Sequence, residues 1–120
     1  MDSNVFGYFQ GQELIHWVPA EQSQYKVFHV MLYMVVEHFN TGAAVEIYRR
    51  ARDRGRQIPP GLEYLDSWVD LEYSKCFQIM RTEDPSLFDT WIRAWSDLVN
   101  FEIIPVRTST EAAHHIANKL

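Results

Sequence analysis

A chain of 120 residues is the length of one domain and can bury a single core without cross-links. Apolar residues make up 47% and aromatics 14% of it, which excludes disorder and points to more buried surface than a small monomer needs. The net charge of −5 offers no general attraction for nucleic acid or anionic lipid, and the lone Cys76 excludes an internal disulfide.

Residues 1–28 are polar and aromatic by turns (Phe6, Tyr8, Phe9, Trp17, Tyr25), with Gly7, Gly11 and Pro19 as breakers and no clear period. Residues 1–29 are taken as an N-terminal extension or leader, and residues 30–120 as the folded domain. The aromatics of the leader imply docking on the body or on a partner. Residues 29–39 form a near-continuous apolar strand, rich in β-branched and aromatic side chains, which suits a central position with both faces covered. Asn40-Thr41-Gly42 then offers a cap, and residues 43–54 form a helix with Ala44, Ile47, Tyr48 and Ala51 on one face. Gly55 stops it, and Pro59-Pro60-Gly61 turns the chain.

Residues 62–71 and 73–80 are β-type runs around a turn at 72–74. A two-residue period puts Leu65, Val69 and Leu71 on one face of the first run and Tyr64, Asp66, Trp68 and Asp70 on the other. With large side chains on both faces, this hairpin is expected in mid-sheet. Asp84-Pro85 starts a helix over residues 85–98, whose stripe of Leu87, Trp91, Trp95 and Leu98 is widened by Phe88 and Ile92. Residues 101–106 form a strand in which Pro105 argues for an edge position or the strand's end. Thr108-x-x-Glu111 fits a capping box for a last short helix ending near Lys119. No apolar run approaches the roughly 18 residues of a membrane span, and the N-terminus lacks the basic start of an export signal. A soluble, cytoplasmic protein is expected, with the single thiol kept reduced.

After the leader the order is strand, helix, strand, strand, helix, strand, terminal helix. That is the α+β, ferredoxin-like βαββαβ unit: a four-stranded antiparallel sheet with two helices on one face, here with an extra C-terminal helix. The helices cover one side only, and the first strand has no polar face. A homodimer, sheet against sheet, is the simplest way to bury the other side.

Four pieces carry a family resemblance: MLYMVVEHF, IYRRARDRGRQIPPGLEYLDSWVD, KCFQIMRTEDPSLFDTWIRAWSDLV and FEIIPV. In this order, from about residue 31 to 113, the chain resembles the uncharacterised domain-of-unknown-function family 3303, of the dimeric ferredoxin-like α/β barrel type. The resemblance implies fold and dimerisation and carries no activity. Other dimeric α/β barrels include cofactor-independent monooxygenases, haem-degrading enzymes, isomerases and regulatory ligand-binding modules, and fold does not choose among them.

The strand polars Glu37, His38, Asp66, Ser67, Gln78 and Glu102 hold the candidate chemistry, because a buried polar group must be paired. Either they pair with one another, the backbone or a partner, or they converge on a cavity that binds a small polar molecule or moves a proton. In the second reading Glu37 and Asp66 are the catalytic candidates, and Gln78, Tyr64 and Trp68 are ligand-binding. Trp91 and Trp95 are core residues or a pocket wall whose indole N–H groups orient a ligand. His38 is adjacent to Glu37 and so faces the opposite side of the strand, and it is the one central candidate for a haem ligand. The arginines 49, 50, 52, 54 and 56 complement a helix C-terminus or meet an anionic ligand or acidic partner.

Other chemistries are excluded. Lys75 to Met80 lacks the glycines and second aromatic of an RNA-binding βαββαβ domain. His114 and His115 diverge by about 100° on a helix, and no metal-ligand spacing completes a site. There is no phosphate loop and no G-x-S-x-G elbow, and Cys76 lies in a buried strand where a thiol is inert packing. No cofactor, metal, nucleic acid or membrane is expected. Two functions of different class remain: a small-molecule site using a carboxylate acid/base, or a non-catalytic dimeric interaction or regulatory module.

Overall fold

A computed structural model describes residues 29–120. Readings that fall on residues 1–28 lie outside the described residues. The elements are β1 (Met31–Phe39), α1 (Ala44–Arg54), β2 (Leu62–Val69), β3 (Lys75–Thr82), α2 (Leu87–Trp95), β4 (Val99–Val106) and α3 (Ser109–Ile116), ending in a 3₁₀ turn over Ala117–Lys119. The four strands form one sheet in the order β2-β3-β1-β4, antiparallel throughout, which gives the ferredoxin-like α+β fold. β1 is central and β4 is an edge, where Pro105 costs no ladder bond. The hairpin is not wholly in mid-sheet, because β3 is central but β2 is the other edge.

Directly opposed residues point to the same side of a sheet, so the register sorts the two faces. Tyr33, Val35 and Glu37 of β1 oppose Met80, Gln78 and Cys76 of β3, and these face the helices. The core forms there: Tyr33, Val35, Met80 and Val99 pack against Ile47 of α1 and Phe88, Trp91 and Trp95 of α2. Tyr33 meets Phe88 edge-on at 5.0 Å, and Trp91 meets Phe101 of β4 at the same distance. Each such buried side chain contributes about 1.5–3 kcal/mol through removal from water. Arg50 ties the helices together, donating to both carboxylate oxygens of Asp97 and to the carbonyl of Ala94 at 3.0 Å.

The period-two reading of β2 breaks at a β-bulge. Tyr64 opposes Met80 and Asp66 opposes Ile79, so Leu65 is an extra residue. Beyond it the faces exchange: Tyr64, Ser67 and Val69 face the helices, and Asp66 and Trp68 face away. Leu65 is thereby exposed, and Leu71 stands free in the loop at 96% exposure.

Caps also differ from expectation. α1 has no side-chain N-cap; Asn40 instead accepts the Ala43 N–H with its main-chain oxygen. Asp84 takes the Ser86 N–H and hydroxyl ahead of α2. The Thr108–Glu111 capping box is present at α3. Asp70, expected at the end of the 62–71 run, lies past the strand and closes the hairpin loop by accepting from the Ser74 and Lys75 N–H groups and the Ser74 hydroxyl. Among the described residues no helix is long and apolar enough to cross a membrane.

The face away from the helices carries Leu32, Met34, Val36, Phe77, Ile79 and Ile104. Trp68 extends it on β2, opposite Phe77. Trp68 is 56% exposed and Phe77 38%, and α3 buries no residue. At its margins stand the Glu63–Arg81 ion pair at 2.8 Å and a His38–Glu102 side-chain contact at 3.2 Å.

Candidate functional site

A cleft of about 520 Å³ opens between α1, α2 and the helix-facing side of the sheet. Its polar floor comes from the strands: Glu37 on β1, Gln78 and Cys76 on β3, Ser67 on β2. Its walls are Phe39, Ile47, Trp91 and Trp95, with Tyr48 at the rim. Tyr48 meets Tyr73 of the hairpin loop edge-on at 6.2 Å, which frames that rim.

Arg56 is set into the cleft by the loop after α1. Gly55 has φ 71° and ψ −167°, a backbone region that side chains with a Cβ occupy only under strain, and Gln57 follows with φ 60°. This reversal points the Arg56 main-chain oxygen at α2, where the Trp95 and Trp91 indoles both donate to it, at 2.9 and 3.1 Å. The Arg56 side chain then folds over the sheet. Its guanidinium lies 3.8 Å from the centre of the Tyr64 ring, and Nη1 donates to Gln78 Oε1 at 3.0 Å.

Gln78 is almost fully buried and satisfied at both ends of its amide, since its Nε2 donates to Glu37 Oε2 at 2.7 Å. A neutral amide therefore separates the guanidinium from the carboxylate. Burial pushes the Glu37 carboxyl up from its ordinary range, against the opposing pull of the Gln78 hydrogen bond and the Arg56 charge. Burial, reinforced by the Glu37 charge, pushes the Cys76 thiol up to about 11. It stays protonated at neutral pH and is no nucleophile.

Of the residues singled out in the sequence, Glu37, Ser67, Gln78, Trp91 and Trp95 line this one cleft, with Arg52 and Arg56 from the arginine run. Tyr64 adjoins it under Arg56, with its hydroxyl 2.7 Å from Ser67 Oγ. Asp66 and Trp68 do not join them, because the bulge turns both to the opposite face. Asp66 Oδ1 accepts from the Ser67 N–H at 2.8 Å, on the face of the sheet away from Glu37. Trp91 and Trp95 are both core residues and cleft wall, and their indole N–H groups, which the pocket-wall alternative had orienting a ligand, donate to the Arg56 main-chain oxygen. His38 pairs with Glu102 outside the cleft.

Tyr48 was missed as a site residue, and Arg56 was read only as one of five arginines that complement the helix end or meet an anionic ligand or acidic partner. The run of arginines masked Arg56, yet it lies past the Gly55 stop and therefore off the helix that carries the others. That offset was the available signal. Among the described residues no group of three His, Cys, Asp or Glu side chains could hold a metal ion. A second, more open hollow of about 910 Å³ near Gly61 and Thr82 is lined by the paired Glu63 and Arg81 and by two further carboxylates, Glu83 and Asp84.

The family model described as domain of unknown function (DUF3303) matches residues 31–120. The chain belongs to that family. The match starts at the first residue of β1 and contains every cleft residue named above, so the site is part of the DUF3303 domain itself. No curated protein matches the chain, and no solved structure does.

Proposed function

We propose that this DUF3303 domain binds a small molecule with an aromatic or apolar body in the cleft, and that Glu37 moves a proton of that molecule. The carrying observation is a half-buried carboxylate on the floor of an aromatic-walled cleft, held by a single neutral amide and pushed by burial above its ordinary range. In the step proposed, a Glu37 oxygen takes a proton from a C–H or O–H acidified by an adjacent carbonyl. The electron pair stays on the ligand, and the carboxylic acid so formed returns the proton there or at a conjugated position. The reaction needs no oxidant and no metal.

The open face supports a second feature of the same reading, a homodimer joined sheet to sheet. Apolar side chains from all four strands form one surface, and the Glu63–Arg81 ion pair at its margin offers both signs of charge to a second copy. If the cleft is empty of function, this surface favours a non-catalytic dimeric module. The single buried thiol fits a cytoplasmic, reducing setting.

The test is a ligand-observed NMR screen of aromatic acids, amides and phenols, with hits mapped on amide shifts. Hits should displace resonances at Glu37, Gln78 and Tyr48. Those with an acidic C–H should exchange it into D₂O, about a hundredfold slower with Glu37→Gln. Hits confined to the open face, or exchange unaltered by Glu37→Gln, would remove the proposed role.

A further inference from the structure

Arg49, Arg50 and Arg52 are each paired with a carboxylate, those of Glu46, Asp97 and Asp53. Arg56 is held otherwise. An aromatic ring lies under its guanidinium and a neutral amide accepts from Nη1, while among the described residues no acidic side chain is bonded to it. A guanidinium is charged at every accessible pH and has five N–H donors in a planar fork. Tyr64 lies under the guanidinium, the Gln78 contact uses one donor, and Arg56 is among the residues that line the cleft. The facing charges are few: Glu37 behind Gln78, and Arg52 at the mouth, already paired with Asp53.

We infer, resting on the reading of the cleft as a small-molecule site, that its ligand is a compact carboxylic acid with an aromatic or apolar body, its carboxylate held by Arg56. The fork of a guanidinium fits a planar carboxylate through two parallel hydrogen bonds, a geometry that a lysine cannot supply. The aromatic walls take the body, and Gln78 keeps the anion of the ligand apart from Glu37 while leaving Glu37 within reach of the atoms next to the carboxylate. Arg56 is thus the specificity-determining residue. The two indoles that grip its main-chain oxygen are positioning residues.

Benzoate and its uncharged isostere benzamide are the probes, titrated by amide-shift mapping against wild type, Arg56→Gln and Arg56→Lys. The indoles hold the backbone of residue 56, so these variants keep the loop, and Arg81→Gln on the opposite face is the control. Benzoate should displace cleft resonances and bind at least tenfold tighter than benzamide. The preference should vanish with Arg56→Gln, be only partly restored by Arg56→Lys, and be untouched by Arg81→Gln. Equal binding of the two probes in the cleft would overturn the carboxylate inference and leave the small-molecule reading standing. Failure of both probes at millimolar concentration, with neutral fragments still seated in the cleft, would do the same. If no fragment of any charge reaches the cleft, both fall.

Discussion

At the scale of single residues, Glu37 is where burial and chemistry meet. Its carboxyl loses hydration on the cleft floor, and the Gln78 hydrogen bond and the more distant Arg56 charge recover only part of that cost. The folded protein therefore holds this proton more tightly than the unfolded chain, whose carboxyl titrates near the ordinary value of 4.5. In the window above that value the folded state binds more protons, so this group's contribution to stability declines as pH rises through it. Glu37→Gln keeps an acceptor for the Gln78 amide and has nothing to titrate. Urea denaturation across the acidic and neutral range should show the variant gaining on the parent as pH rises. A gap that stays constant with pH would mean that Glu37 titrates as an ordinary exposed carboxyl. The same substitution withdraws a charge that raises the Cys76 thiol, and burial alone keeps that thiol protonated at neutral pH.

At the scale of elements, the cleft depends on how α1 ends. Gly55 has no atom within 4 Å of the place where a Cβ would stand, so Gly55→Ala meets only the backbone cost of its φ of +71°. That cost is about 1–3 kcal/mol, with no clash to add. Denaturation should show a loss of that size. Should the loop relax to relieve it, the Arg56 oxygen leaves the Trp91 and Trp95 indoles, and the preference for benzoate over benzamide falls as well. An unchanged midpoint would show that the loop reaches the same place without a glycine. The bulge at Leu65 acts on the same scale in β2. One inserted residue sends Tyr64 and Trp68 to opposite faces, leaving a ring under Arg56 and an indole on the open surface.

At the scale of the whole molecule, the sheet divides two tasks between its faces. The side under α1 and α2 holds the core and the cleft. The other presents an apolar band whose centre, Val36, is buried and whose flanks, Trp68, Phe77 and Ile104, are exposed. Light scattering on the wild type should give the mass of a dimer. Phe77→Arg would bury an unpaired charge between two sheets, a change that costs several kcal/mol, and should give a monomer with cleft resonances unchanged. A wild-type monomer at high concentration would rule out the sheet-to-sheet assembly.

The order of elements, the ferredoxin-like class, the edge position of the strand with Pro105 and the capping box of α3 were all legible in the residues, because each rests on local periodicity or on a short-range hydrogen bond. Glu37 and Gln78 were legible as polar breaks in apolar strands. What they touch was not. Gln78 and Glu37 lie on strands 41 residues apart, and the register alone makes their side chains neighbours. The bulge was hidden too, since an extra residue in β2 is defined only against its partner β3. Arg56 was one arginine in a run until α2 packed against the loop and took its main-chain oxygen. Local chemistry determined which elements form. Non-local pairing decided which side chains share a cleft, because antiparallel register, strand faces and helix docking are properties of two segments at once.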